Sequence, residues 1–167
     1  MSEALQKPTI EKHLSADTDP SFKRALEVEL ALDPEHTLPE VTLIRDPSKL
    51  APKRGQRIIE PDLITHDGEV IGECVITWDK SNNERYFHGI TIYESHRGKG
   101  FGLATYKEVI EQAMIDGCRF KTEDWSQTES AKKIWDLLHA KGLAEVVSEF
   151  IPDGEGRYAG EYVINPS

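Results

Sequence analysis

Apolar positions change period along this chain, and each change predicts an element. In "PSFKRALEVELAL" (20–32), Phe22, Ala25, Leu26, Val28, Leu30 and Ala31 fall in a helical distribution, with Asp19 or Ser21 placed to cap it. Residues 1–20 are polar and carry Pro8 and Pro20, which predicts a poorly anchored segment with at most a short strand near Pro8–His13. Pro34, Pro39, Pro47 and Pro52 make 33–57 mostly loop, with "VTLIR" (41–45) as a short or edge strand. The pattern then shortens to strands at about 60–66, 69–79 and 85–93. Asp67-Gly68 is a strong hairpin signal, and Ser81-Asn82-Asn83 marks the next turn. In 69–79, Val70, Gly72, Cys74 and Ile76 share one face and Ile71, Val75 and Thr77 the other. Both faces are apolar, which predicts a central strand covered on both sides.

A helical period returns at 102–116, through Leu103, Tyr106, Val109, Ile110, Ala113 and Met114, and Gly117 is a natural stop. Tyr106 lies on that apolar stripe and reads as core. "CRFKTED" (118–124) is a short strand. "QTESAKKIWDLLHAKG" is a second amphipathic helix through Ala131, Ile134, Trp135 and Leu138, and two strands about "PDGEG" end the chain. A strand joined through a helix to another strand implies a parallel, right-handed crossover.

Composition narrows the class. The length of 167 residues fits one domain spanning 1–167. No apolar run approaches the ~20 residues of a membrane span, and the polar start lacks a signal core, so a cytoplasmic protein is expected. Cys74 and Cys118 are far apart and read as buried thiols; no paired spacing suggests a metal, and none is expected. The formal net charge of −10 disfavours nucleic acid as a partner and suits a cationic amine.

The stretch "ESHRGKGFGLATYKEVIEQA" (94–113) carries the chemistry. Glycines at a helix start let the backbone approach an anion closely, where unpaired N–H groups and the helix dipole favour a phosphate or pyrophosphate. Arg97 and Lys99 add positive charge. The Walker pattern is absent, because Gly100 follows Lys99. The dinucleotide fingerprint is missed too, since Gly98, Gly100 and Gly102 give GxGxG. The pattern that fits is R-x-x-G-x-G: Arg97, Gly100 and Gly102, after the strand "GITIY" and opening a helix.

In this motif and its strand order, from about Asp62 to Gly142, the sequence resembles the GNAT family of acyl-CoA-dependent N-acetyltransferases. The resemblance implies an α/β (α+β) fold: a mixed, mostly antiparallel central sheet of six to seven strands, helices on both faces, and a splayed pair of parallel strands. It implies transfer of acetyl from acetyl-CoA to an amine of unknown identity, small or peptidic. It also implies that His96, Arg97, Gly98, Lys99, Gly100, Phe101 and Gly102 form the pyrophosphate turn, with Leu103 and Ala104 opening the helix. The backbone of Ile90, Thr91, Ile92 and Tyr93 would pair with the pantetheine. Homodimers are common among such relatives.

Many members read N-x-x-A-x-x-x-Y-x-x-x-G in the helix after the fifth strand, where the Tyr protonates the leaving sulfur. Aligned on Gly142, Ala131 takes the Asn position and Leu138 the Tyr position, so both functional side chains are missing. His139 is rotated by about 100° from that position. The candidate bases are Glu73, on the central strand where an enclosed carboxylate suits the task, and His88 on the next strand. Glu123 and Asp124 are candidates to face an amine. One rival is a non-catalytic acyl-CoA-binding or interaction module of the same fold. Another is an enzyme acting on aminoacyl-tRNA, through the basic patch of Lys49, Lys53, Arg54 and Arg57.

Overall fold

The computed structural model describes residues 20–46, 48–49, 53–55, 57–122 and 126–167. The cap at Asp19, the short strand near Pro8–His13, and Glu123, Asp124 and Trp125 lie outside them.

Helix α1 spans Pro20–Leu32. Its buried stripe is Ala25, Val28, Ala31 and Leu32. Proline suits a first helical turn, where its missing N–H costs nothing. The Asp33 carboxylate accepts from the amides of Thr37 (2.7 Å) and Leu38 (3.2 Å), which folds the exit from α1 back on itself. The proline-rich segment that follows is not all loop. It contains β1 (Thr42–Arg45) and the two-residue β2 (Lys53–Arg54), both pairing with β3 (Arg57–His66).

Strands β3 and β4 (Glu69–Asp79) form a hairpin. Its turn residues, Asp67 (φ 50°) and Gly68 (φ 80°), are both left-handed, as a tight hairpin turn requires. The Asp79 carboxylate organises the next turn by accepting from the Ser81 hydroxyl (2.8 Å) and the Asn82 side-chain amide (3.1 Å). Strand β5 (Glu84–Ile92) follows. Helix α2 (Phe101–Ile115), strand β6 (Arg119–Lys121), helix α3 (Glu129–Ala140) and the hairpin of β7 (Ala144–Pro152) and β8 (Tyr158–Ile164) complete the chain.

The sheet order is β1-β3-β4-β5-β6-β8-β7, with β2 also on β3. Only β5–β6 is parallel among the named pairs. The core gathers Ile64, Ile71, Ile110, Met114, Phe120, Trp135 and Ile164, all nearly or fully enclosed. Helix α1 packs along α2 and touches α3. Arg24 fixes it to the end of the sheet by donating to the carbonyls of Asn165 and Leu143.

Strict alternation fails in β4, for a local reason. Ile64 pairs with Gly72 and Thr65 with Val70, so Ile71 is an extra residue in a bulge. The bulge shifts parity: Ile71 is fully buried and Val70 is 39% exposed. The cover expected on both faces is therefore incomplete, because Glu73, Val75 and Trp78 are all partly exposed.

Candidate functional site: a forked sheet beside an uncapped helix

Two departures from regular pairing shape the site. Glu84 pairs with Arg119 and Arg85 with Phe120, and there the parallel pairing ends. Strand β5 runs on to Ile92, while β6 turns to β8 through Phe120↔Ile164 and Lys121↔Val163. The base of this fork is pinned. Arg119 donates from its amide to Asn83 O (3.0 Å) and from its guanidinium to Asn82 O (2.8 Å), and it meets the Glu84 carboxylate at 3.0 Å. The second departure is a bulge in β5: Val75 pairs with Gly89 but Ile76 with Phe87, so His88 is the extra residue. His88 is exposed there, while Phe87 returns to the core at 5% exposure.

A small cleft opens inside the fork. Phe87 of β5, Tyr106 of α2 and Phe120 with Lys121 of β6 form its walls, and Trp135 of α3 closes it. The aromatic rings are mutually packed. Phe87 and Tyr106 lie 4.7 Å apart by centroid, Phe87 and Phe120 meet edge-on at 5.8 Å, and Trp135 stacks on Phe120 at 5.8 Å. Tyr106 does belong to the apolar stripe, at 8% exposure, but it also lines this cleft. The sequence carries no signal separating a core tyrosine from a cleft tyrosine on one helix face.

Beyond the end of β5 the chain makes a single turn of 3-10 helix, Glu94–His96. The His96 amide donates to Tyr93 O (2.8 Å), and Arg97 Nε donates to Ile92 O (2.9 Å), so the turn is tied to the strand it leaves. The His96 ring lies between Ser95 Oγ (3.0 Å) and the Glu69 carboxylate (3.3 Å), edge-on to Phe101. Its position is that of an anchor. Gly98 (φ 75°) and Gly100 (φ 88°) are left-handed. A Cβ on Gly100 would also sit 3.3 Å from Leu38 Cδ2, so the turn after α1 packs on this N-cap.

Gly102 is different. Its backbone is not left-handed, and a Cβ there would meet nothing within 4 Å. Neither φ nor crowding demands a glycine, so the absent side chain leaves room. Helix α2 has no side-chain cap, which leaves its first-turn amides without a helical acceptor. Phe101 is buried and offers only its backbone; Lys99 is exposed and Leu103 half-buried. Ala104 lies in the opening turn of the helix, its amide donating to Gly100 O (2.9 Å) and its side chain buried. An open helix N-terminus with Arg97 and Lys99 beside it fits a pyrophosphate. Among the described residues Ile90, Thr91 and Ile92 pair only with β4, and the edge they turn toward β6, continued by Tyr93, leads from that turn to the fork, as an extended pantetheine would need.

The two candidate bases are placed differently. Glu73 sits opposite Thr91, its side chain 41% exposed, with Lys49 Nζ at 3.0 Å from Oε1. The expected enclosed carboxylate is thus a surface ion pair, because this face of β4 is only partly covered. That hydrogen bond, the largest cause, raises the pKa of Lys49. Lys49 also reaches Asp46 at 3.8 Å, so it meets a carboxylate of its own loop as well as that of β4. Burial raises the Cys74 thiol to about 12 and raises that of Cys118 as well, which makes both poor nucleophiles. Burial also pushes Asp62 up to about 6, aided by Glu60 and opposed by Arg45; it pairs across β3–β4 with Cys74, away from the fork. Among the described residues no group of three His, Cys, Asp or Glu side chains could hold a metal. Leu138 is fully buried and Ala131 nearly so, which leaves the usual positions of the family's Asn and Tyr apolar.

The chain belongs to the acetyltransferase (GNAT) family, whose model matches residues 22–135. Among solved structures it is similar to an IAA acetyltransferase from Bacillus cereus ATCC 14579, with 17% identity, 75% of this chain and 99% of that chain covered, and a TM-score of 0.49. It is also similar to a dodecameric spermidine N-acetyltransferase from Vibrio cholerae, with 14% identity, coverage of 77% and 95%, and a TM-score of 0.50. At 14% identity the likeness to the spermidine N-acetyltransferase is one of fold alone. No curated protein matches the sequence. Among the described residues no helix is long and apolar enough to cross a membrane.

Proposed function

We propose that this protein is an acyl-CoA-dependent N-acetyltransferase that moves acetyl from acetyl-CoA to a primary amine, by direct attack within a ternary complex. The observation that carries this reading is the uncapped start of α2 with open space at Gly102, in a chain of the GNAT family. Acetyl-CoA supplies the activated thioester. The amides of Gly98, Lys99, Gly100, Phe101, Gly102 and Leu103 form the pyrophosphate cradle, with charge from Arg97 and Lys99 and with His96 holding the turn. The backbone of Ile90, Thr91, Ile92 and Tyr93 guides the pantetheine toward the fork. Glu73 or His88 takes the amine proton through water. A cationic acceptor reaches Glu73 by displacing the Lys49 ammonium.

Thermal unfolding with CoA and acetyl-CoA tests this directly. At 100 times its dissociation constant a ligand stabilises by about 2.7 kcal/mol, on the order of 5–11 °C for a chain of this size. No shift at millimolar ligand makes the turn merely structural. Ala131 and Leu138 favour a second reading, a module that binds acyl-CoA without turning it over. Thiol release with an amine panel separates the two. In an active enzyme, Glu73→Gln combined with His88→Ala is expected to lower kcat by roughly 10²–10⁴-fold. Unchanged kcat would remove both residues from the role of base.

A further inference from the structure

The reaction needs a proton for the departing sulfur, and helix α3 offers none at Leu138, which is fully buried. We propose that Tyr106 of α2 is the proton donor, a role that rests on the acetyltransferase reading above. Three observations converge on it. Tyr106 lines the cleft in the fork of β5 and β6. Its ring packs on Phe87 at 4.7 Å, directly beside the His88 bulge. It also lies on the helix that opens at the glycine turn, so one rigid element would carry both the pyrophosphate cradle and the acid. Five residues separate Tyr106 from Phe101, about 7.5 Å along the axis at 1.5 Å each. From Ile92 to His88, β5 advances about 13 Å. A ligand extended along β5 from the turn would therefore end beside Phe87, in the same cleft.

The amine nitrogen forms a bond to the acetyl carbon as the C–S bond breaks. The electron pair leaves with sulfur, and Tyr106 gives sulfur its phenolic proton. The surplus amine proton passes to Glu73 or His88 through water, and solvent returns a proton to the Tyr106 phenolate. The net change is amine plus thioester to amide plus thiol. Lys121 is the other titratable group lining the cleft among the described residues, and it lies over the Tyr86 ring at 5.1 Å. Phe87, Phe120 and Trp135 carry no charge, and from α2 itself Lys107 is paired with Glu29 and Glu111.

The test needs no acceptor. A donor that hydrogen-bonds the thiolate lowers the pH at which bound CoA ionises, which ultraviolet absorbance follows in the binary complex. Tyr106→Phe keeps the ring packed on Phe87 and removes only the hydroxyl. In the variant, ionisation of bound CoA is expected to move up by about 1–2 pH units, the size of one hydrogen bond to a charged group. The CoA-induced rise in melting temperature should persist, and Lys121→Met should leave the titration in place. Coincident curves for the parent and Tyr106→Phe, both loaded with CoA, overturn the proposal alone. A curve moved by Lys121→Met instead assigns the proton to Lys121 and overturns it too. A parent that binds no CoA overturns the proposal together with the reading beneath it.

Discussion

Helices α2 and α3 begin in opposite ways. At α3, Thr128 has extended backbone angles, and its hydroxyl accepts from the Ala131 amide at 3.1 Å. Glu129 adds a negative charge in the first turn, where the dipole favours it. At α2 the N-cap is a left-handed Gly100, with no side-chain cap and no acid in the first turn. One helix satisfies its own end; the other leaves it for something else. A glycine N-cap is worse than Ser, Thr or Asp by only about a few tenths of a kcal/mol, so α2 gives up little stability by leaving its end open. The two ends lie in one small domain and differ in what they face. The α2 end stands just beyond the tip of β5, beside Arg97 and Lys99. The difference points to an anion as the missing cap.

The comparison can be strained from both sides. Gly100→Ala forces a side chain into φ 88°, with its Cβ 3.3 Å from Leu38 Cδ2. Loss of about 1–2 kcal/mol is expected, with a weakened response to CoA. Thr128→Ala should cost about 1 kcal/mol by removing the cap at α3, and the CoA-induced shift should be untouched. Denaturant melts of both variants, with and without CoA, check the pair. Equal sensitivity of the CoA response to the two substitutions would dissolve the distinction between a structural and a functional helix end.

One side of this contrast was legible in the residues. Gly98, Gly100 and Gly102 read as an open helix start, a local signal set by backbone geometry within one turn. The hairpin at Asp67-Gly68 was legible for the same reason. The amphipathic run through Ala131, Ile134, Trp135 and Leu138 predicted α3 but not its cap at Thr128. What else escaped depends on neighbours distant in sequence. The bulge at Ile71 arises from register against β3, and it moved Val70 off the buried face it was expected to share with Gly72, Cys74 and Ile76. Glu73 read as an enclosed carboxylate, but Lys49, which pairs with it, arrives from a loop 24 positions earlier. Tyr106 obeyed the helical period and so read as core. Its place on the cleft depends on β6 leaving β5 after Arg85↔Phe120, and no pattern within α2 encodes that departure.

Gly102 gives the smallest effect and the sharpest one, because structure and function pull it in opposite directions. Glycine within a helix is less stable than alanine by up to about 1 kcal/mol, and a Cβ at this position would touch nothing. Gly102→Ala should therefore raise the melting temperature of the free protein by a few degrees at most, at about 2–4 °C per kcal/mol. The same methyl group would stand in the space the turn keeps open and should reduce the CoA-induced shift. Gly100→Ala cannot separate these effects, since strain and ligand loss there have the same sign. At Gly102 a more stable free protein that responds less to CoA has one physical account: the glycine is kept for the ligand, against the interest of the helix. A more stable protein with an undiminished response would put the pyrophosphate elsewhere on the turn. A less stable one would mean that the open space at Gly102 is filled by the protein itself.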